Sequence, residues 1–152
     1  MPRYFFDTSA LVKHYHAEVG TLEVRALLTE PSAECVISRL ATVETLSGFA
    51  GKVRTGALST TAFAALRGKF LADVKRRVVL PIRVVNAHYQ LAASLICHHG
   101  MSLQVRTLDA IQLAVAIRLH EGLPIDRFVC ADQRLCAIAA FEGLVVFNPE
   151  QP

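Results

Sequence analysis

The sequence predicts an α/β fold, in which five parallel strands form one sheet that helices cover on both faces. Short apolar segments alternate along the chain with longer segments whose apolar residues recur at helical spacing, a pattern typical of strands joined by crossover helices. The 152 residues are 53% hydrophobic, which suffices for the core of a single domain spanning residues 1–152. We therefore expect a three-layer α/β/α sandwich.

The first half of the chain provides two of the predicted strands. The aromatic run YFF lies in the first, at residues 3–7, and the apolar run CVI in the second, at residues 34–37. Helical periodicity predicts four helices, at residues 9–16, 20–29, 38–56 and 59–77. Pro31 ends the second of these helices and Ser38 caps the third, so two helices separate the second strand from the third.

The second half provides three more strands, at residues 78–82, 127–131 and 144–147. Pro81 has no backbone donor, which indicates that the third strand lies at an edge of the sheet. Three helices are predicted here, at residues 86–98, 107–120 and 132–142. Gly100 should end the first of them in a left-handed conformation, while Thr107 and Asp132 should cap the other two.

Charge and cysteine usage exclude some classes of protein. The net charge of +3 is compatible with a polyanionic partner without indicating one, and the dense run from Lys75 to Arg77 is typical of a solvated helix end. The four cysteines lack paired spacing, which disfavours disulfides and a zinc site. No segment approaches ~18 consecutive apolar residues, and Asp7 precedes any signal-peptide apolar region, so we expect a cytoplasmic protein.

Four of the thirteen acidic residues lie within apolar sequence, whereas the other nine suit loops, helix ends or polar faces. The four are Asp7 in FFDTSAL, Glu44 in ATVETLSGF, Asp109 in RTLDAIQLAVAI and Asp132 in FVCADQRL. Taken singly, each has a structural explanation. Asp109 and Asp132 suit the first turn of a helix, and Asp7 suits a strand end that caps the next turn. Glu44 suits a half-exposed helix face.

The predicted topology makes a shared site more plausible than four separate ones. The carboxyl ends of parallel strands meet at one edge of the sheet, where Asp7 follows the first strand and Asp132 the fourth. Glu44 could lean over that edge, and Asp109 would reach it only if the loop after Gly100 turned back. Converging carboxylates repel one another unless a cation compensates. Oxygen ligands favour Mg²⁺, with Mn²⁺ as a substitute, and such an ion suits phosphodiester hydrolysis.

In this order and spacing, the motifs resemble the PIN domain family, and specifically its VapC-like ribonuclease toxins of type II toxin-antitoxin systems. The resemblance spans nearly the whole chain through the segments FFDTSALVK, VISRLATVETLSG, RTLDAIQLAVA and FVCADQRLCAIAAFEGLVVFNP. It implies the PIN-like five-stranded sandwich and places Asp109 beside Asp7. By matching motifs, the resemblance assigns catalysis and metal binding to Asp7, Glu44, Asp109 and Asp132, with Ser9 in support. Cys130 departs from the Thr or Ser that many relatives have there.

The resemblance implies an Mg²⁺-dependent endoribonuclease that cleaves single-stranded or looped RNA and is held inactive by a cognate antitoxin. Asp7 and Asp109 are expected to bind the metal directly, and the other two acids to complete the cluster. We interpret Lys13, Lys52 and Arg134 as candidate phosphate contacts. Relatives commonly dimerise, and the apolar helical segments at residues 21–28 and 63–74 lead us to expect a homodimer that makes no contact with a membrane.

Other functions remain open. A PIN-fold nuclease that acts on DNA or in RNA processing is the nearest alternative. A non-catalytic PIN-fold adaptor is an alternative outside enzymes, although such a protein would be expected to have lost one of the four acids. A phosphatase of the haloacid dehalogenase type would want a second acid where this chain has Ser9. A nucleotide-binding module is disfavoured because the sequence has neither GxGxxG nor GxxxxGK[ST].

Overall fold

Five strands and seven helices alternate along the computed structural model, which describes all 152 residues. The strands are β1 (Arg3–Phe6), β2 (Glu34–Ser38), β3 (Leu80–Ile82), β4 (Arg127–Val129) and β5 (Val146–Phe147). The helices are α1 (Thr8–Tyr15), α2 (Thr21–Leu28), α3 (Ala41–Arg54), α4 (Thr60–Lys75), α5 (Asn86–His99), α6 (Thr107–Gly122) and α7 (Gln133–Phe141). None of these helices combines the length and apolarity needed to cross a membrane.

The strands form one sheet in the order β3-β2-β1-β4-β5, and every neighbouring pair is parallel. From β1 the chain adds β2 and β3 on one side, then crosses over to add β4 and β5 on the other. The order therefore reverses between β1 and β4, and the crevice beyond the carboxyl ends of two such strands is the usual ligand site of an open parallel sheet.

Alternating residues of β1 serve two separate cores, which explains the three layers. Phe5 is fully buried in the core formed with α5, α6 and α7, where its ring stacks on that of Phe128 at 5.7 Å between centroids. Tyr4 and Phe6 are buried on the opposite face, against α1 to α4. Because successive strand residues point to opposite faces, one short aromatic strand holds both helical layers. The predicted α/β/α sandwich with five parallel strands is confirmed.

Several local predictions are confirmed with the predicted residue in the predicted role. Pro81 lies in the edge strand β3, which pairs only with β2. The backbone donor that proline lacks is tolerated there because no second strand lies beside β3. The helix predicted at residues 59–77 is present as α4, and Ser59, its first predicted residue, caps it by accepting a hydrogen bond from the Ala62 amide at 3.0 Å. Asp132 caps α7, and Gly143 follows that helix with φ of +90°.

Three predicted caps are wrong. Ser38 belongs to β2, because the ladder with β3 extends to the pair Ser38 and Ile82 and delays the start of α3. Gly100 has φ of −68° and continues the right-handed turn of α5, its amide donating to the Ile96 carbonyl at 2.7 Å. Thr107 is the first residue of α6 rather than its cap. Each cap depends on how far the neighbouring element extends, which tertiary pairing determines.

We predict opposite effects for alanine at two glycines. Gly20 precedes α2 with φ of +88°, and a Cβ there would lie 2.9 Å from the Pro149 carbonyl oxygen. Gly20→Ala should therefore lower the free energy of unfolding by about 1 to 3 kcal/mol. Gly68, within α4, has open space at its Cβ position, so Gly68→Ala should raise that free energy by about 0.5 to 1 kcal/mol. Thermal melting monitored by circular dichroism measures both, and equal melting temperatures for the two variants would show that Gly20 is not under this constraint.

Candidate active site

The hydroxyl group of Ser9 joins the ends of the two strands that flank the point of strand reversal. It donates to Asp7 Oδ2 at 2.6 Å and accepts from the Ala131 amide at 3.0 Å. Asp7 follows β1 directly, caps α1, and receives a second hydrogen bond at Oδ2 from the Ser9 amide at 3.0 Å. The short-range sequence D-x-S thus builds a local turn whose hydroxyl also reaches the chain beyond β4. The Ser9 side chain therefore lies directly against the carboxylate of Asp7.

Asp7 is buried, with 3% of its surface exposed, and its second oxygen Oδ1 is buried without any hydrogen-bond partner. Burial raises the pKa of Asp7, the Ser9 hydrogen bonds lower it, and the nearby charge of Asp132 raises it. The thiol of Cys130 also lies near this carboxylate, 3.8 Å from Asp7 Oδ2. A thiol is a weak donor, so it gives the carboxylate little support. Burial of this carboxylate therefore favours its neutral form, and a bound cation would favour the ionised form.

Glu44 is held over the same edge by two polar side chains. Its Oε2 atom accepts a hydrogen bond from Thr8 Oγ1 at 2.8 Å and another from Gln112 Nε2. Gln112 also donates to Thr8 Oγ1 at 3.1 Å, and it is fully buried within α6. Burial is the main cause that raises the pKa of Glu44, and the charge of Asp7 adds to it. The contacts between α1, α3 and α6 thus determine where this carboxylate sits.

Asp109 and Asp132 complete the group. Asp132 Oδ1 accepts from the amides of Arg134 at 2.9 Å and Leu135 at 3.1 Å, which fixes the carboxylate at the start of α7. Asp109 lies in the first turn of α6. Burial raises its pKa to about 6, with further contributions from the charges of Asp7, Asp132 and Glu44. Asp109 is therefore close enough to the other acids to be affected by all three.

The loop between α5 and α6 explains how Asp109 reaches this edge. His99, the last residue of α5, pairs with Glu142 at the end of α7 at 2.7 Å. Gln104 pairs with Arg134 in the first turn of α7. The loop therefore runs back along α7, whose nine residues cover about 13 Å, a span within reach of five extended residues. The loop after α5 therefore does turn back toward this edge of the sheet, a point that the sequence alone left undecided.

A single open pocket of about 390 Å³ contains all four predicted acids and Ser9. Its other lining residues are Thr8, Val43, Ser47, Arg106 and Leu108. Sequence reasoning missed four polar residues of the site: Thr8, Ser47 and Arg106 line the pocket, and Gln112 contacts Glu44. Gln112 had a usable signal, since it is the single polar residue in the buried run from Ala110 to Ala116. Arg106 is exposed and lowers the pKa of Glu44 and of Asp109.

The pocket has the chemistry of a site for a hard divalent cation. It offers only oxygen ligands and includes the unpartnered Asp7 Oδ1. Burial, and then the charges of neighbouring acids, raise the pKa values of Asp7 and Asp109. No three His, Cys, Asp or Glu side chains are arranged to enclose an ion directly. Mg²⁺ keeps several waters and uses one or two carboxylates, so the residues fit such an ion.

Two of the three predicted phosphate contacts are engaged elsewhere. Lys13 is 4% exposed and pairs with Glu150 at 2.6 Å and Glu18 at 3.3 Å, so it cannot serve a substrate. Lys52 also pairs with Glu18, at 3.3 Å. Arg134 lies beside Asp132 at the rim and bonds to Gln104.

Comparison with known proteins identifies the class of this domain. The PIN domain model matches residues 4–140, so the chain belongs to the PIN domain family, whose members are generally nucleases. No curated protein matches the sequence significantly.

Among solved structures, the chain is similar to one in the crystal structure of FitAcB from Neisseria gonorrhoeae. The TM-score is 0.68 at 12% sequence identity, and the alignment covers 96% of this chain and 97% of that one. At this identity the similarity concerns the fold, and it confirms the PIN-like architecture.

We predict that Asp109→Asn stabilises the protein in EDTA by about 1 kcal/mol, or about 2 to 4 °C, allowing for solvent screening of a half-buried group. The folded pKa of about 6 exceeds the ordinary 3.8, so the folded state binds more protons between these values. Wild-type stability should then fall as pH rises from 3.8 to about 6, and the variant should show a shallower fall.

Thermal melts across this pH range test the prediction. The matched control is Glu121→Gln at the far end of α6, where an exposed pair with Arg118 should contribute at most about 1 kcal/mol. If Asp109 serves only its helix start, its neutralisation should instead cost about 0.3 to 1 kcal/mol, and a lower melting temperature would contradict the clustered site.

We predict that Gln112→Leu reduces any nuclease turnover at this site about tenfold, because Glu44 loses one of its two hydrogen-bond donors. The change should affect kcat more than KM, since Gln112 is buried and only positions Glu44. Stability should change little, because the substitution also removes the buried, unpartnered Gln112 Oε1. Steady-state kinetics with parallel thermal melts measure both effects, and unchanged kcat would mean that this contact does not position Glu44.

Proposed function

We propose that this PIN domain is an Mg²⁺-dependent endoribonuclease that hydrolyses phosphodiester bonds in single-stranded or looped RNA. The observation that carries the proposal is the meeting of four carboxylates in one pocket at the point of strand reversal, each from a different element. Four acids in one pocket have little use in a purely structural role, because their mutual repulsion destabilises the metal-free fold. A divalent cation removes that repulsion and provides hydrolytic chemistry.

The bound ion would activate water and stabilise negative charge on a phosphoryl oxygen. In this proposal Asp7 and Asp109 hold the ion, and Glu44 and Asp132 complete its surroundings through bound water or a second ion. Ser9 fixes one oxygen of Asp7 and leaves Oδ1 free to bind. Asp132 Oδ1 is committed to the α7 amides, which leaves its other oxygen for the site. Arg106, exposed at the pocket, attracts the phosphate group.

Two alternatives to this activity stay open and give different results in an assay. A PIN-fold nuclease acting on DNA would use the same four carboxylates, so the pocket does not discriminate between these substrates. A non-catalytic adaptor would not need the acids. The retained pocket, with its supporting hydrogen bonds from Ser9, Thr8 and Gln112, favours a catalytic domain.

We also propose that the chain is the toxin of a type II toxin-antitoxin pair, acting as a homodimer that a cognate antitoxin inhibits. The support is the sequence resemblance to VapC-like toxins together with family membership. Leu22 on α2 and Leu71 on α4 are 76% and 42% exposed, which is compatible with apolar contacts to a second chain. Growth arrest by the wild-type chain but not by Asp109→Asn would support toxicity, and a purely monomeric state in light scattering would contradict the dimer.

We predict that RNA cleavage stops in EDTA and returns with Mg²⁺ or Mn²⁺. Single-stranded RNA and DNA of the same sequence should be compared, with RNA cleaved at least about tenfold faster. Asp7→Asn and Asp109→Asn should each abolish activity, because either change removes a proposed metal ligand. Gel electrophoresis of end-labelled substrates measures all of these rates.

The matched control is Glu121→Gln, which removes a carboxylate from α6 without touching the pocket and should retain full activity. Cleavage that survives thorough chelation would exclude a metal mechanism. Preferential cleavage of DNA would favour the alternative nuclease, and inactivity on both polymers with Mg²⁺ and Mn²⁺ would favour the adaptor.

A further inference from the structure

A second cavity adjoins the acidic pocket and has the opposite charge. It has a volume of about 720 Å³ and is lined by Arg39, Leu40, Thr42, Val43, Arg83 and Val84. Val43 is 68% exposed and lines both cavities, so the two lie on either side of the first turn of α3. The second cavity contains no carboxylate. Its position is the carboxyl end of β2 and β3, on the same edge of the sheet as the four acids.

The sheet register places the two arginines next to each other. Ser38 of β2 pairs with Ile82 of β3, and Arg39 and Arg83 are the residues that follow. The Arg39 amide donates to the Ile82 carbonyl at 2.9 Å, and Thr42 Oγ1 donates to the Arg39 carbonyl at 2.6 Å. Neighbouring strands lie about 4.8 Å apart, so two guanidinium groups leave the sheet side by side from a backbone held in place.

These two arginines have no partner within the protein. Both side chains are exposed, and neither forms an ion pair or a side-chain hydrogen bond. Four other cations of the chain pair with acids: Arg3 with Glu34, Lys13 with Glu150, Lys52 with Glu18 and Arg118 with Glu121. Arg39 and Arg83 differ from the remaining unpaired cations in lying side by side at the edge of the sheet that holds the acids. Like charges side by side at strand ends are unfavourable. An arrangement of this kind becomes favourable when an anion with several negative charges binds between them.

We propose that the cavity of Arg39 and Arg83 binds the phosphate backbone of the RNA next to the bond that is cleaved. The inference rests on the proposed function and extends it by giving the substrate a path, from the four acids across Val43 to the end of β3. The acidic pocket repels a polyanion, so binding a nucleic acid there requires cations close by. Arg39 and Arg83 supply them, and their contacts with phosphates position the strand without reading its sequence.

The test compares charge-matched double variants. The cavity variant, Arg39→Ala/Arg83→Ala, removes two charges from the cavity. The edge variant, Lys75→Ala/Arg76→Ala, removes two exposed charges at the end of α4. These residues come just before β3 begins, so they lie at the opposite edge of the sheet. A third variant, Arg39→Lys/Arg83→Lys, keeps the charge. The probe is a fluorescein-labelled single-stranded RNA of mixed sequence about 20 nucleotides long, with binding measured by anisotropy in EDTA so that no cleavage occurs.

We predict that the cavity variant binds this RNA about tenfold more weakly than wild type. The slope of log K against the logarithm of the salt concentration should be shallower by about 1.4, or roughly 0.7 for each lost phosphate contact. The edge variant should bind nearly as wild type, and the lysine variant should bind between the two. With Mg²⁺, the cavity variant should show raised KM and unchanged kcat. Its melting temperature should equal or exceed that of wild type, because a like-charge contact is removed.

Equal RNA affinity for wild type and the cavity variant would overturn the inference, as would equal losses in the cavity and edge variants. Unchanged RNA binding together with weaker binding of hexaglutamate would assign the cavity to an acidic protein segment instead. The two proposals fail separately. If wild type cleaves RNA but the cavity variant binds normally, only this inference fails, whereas a cavity-dependent affinity without cleavage in Mg²⁺ or Mn²⁺ contradicts only the proposed nuclease.

Discussion

The buried carboxylate of Asp7, at the end of the central strand, is the constraint on which the site depends. One oxygen has its hydrogen bonds supplied by Ser9, and the other is buried without a partner. Taking an ionised carboxylate out of water is costly unless a charge or several donors compensate, and the thiol of Cys130 beside it is only a weak donor. The surrounding acids increase this cost. The fold therefore maintains an unfavourable arrangement that a bound cation would stabilise.

The topology of the sheet explains why four acids from distant parts of the sequence meet. The first and fourth strands are neighbours because the chain reverses direction across the sheet after β3, so Asp7 and Asp132 emerge side by side. Glu44 is brought in by the first turn of α3 and held through Thr8 and Gln112, which belong to α1 and α6. Packing between helices and sheet thus provides the rigid frame, and hydrogen bonds among polar side chains orient the carboxylates within it.

Charge is divided along the same edge of the sheet, and this division is hidden in the small net charge of +3. Acids gather where β1 and β4 end, and unpaired arginines lie where β2 and β3 end. Basic residues elsewhere are often neutralised by local partners, as Lys13 is by Glu150. A polyanionic substrate would respond to this local arrangement and not to the total charge, because exposed charges are screened beyond about 10 Å at moderate ionic strength.

The sequence by itself determined the class of fold and the family, and it singled out the four acids that the fold brings into one pocket, because these depend on apolar periodicity and on motifs that are local in the chain. Pro81 at an edge and Asp132 as a helix cap followed from single-residue chemistry, and both are confirmed. Only the tertiary structure decided that the loop after α5 returns along α7 to deliver Asp109, that Lys13 is buried, and that Arg39 lies beside Arg83. These arrangements depend on contacts between residues far apart in sequence, and a local pattern contains no information about which distant side chain will be the partner.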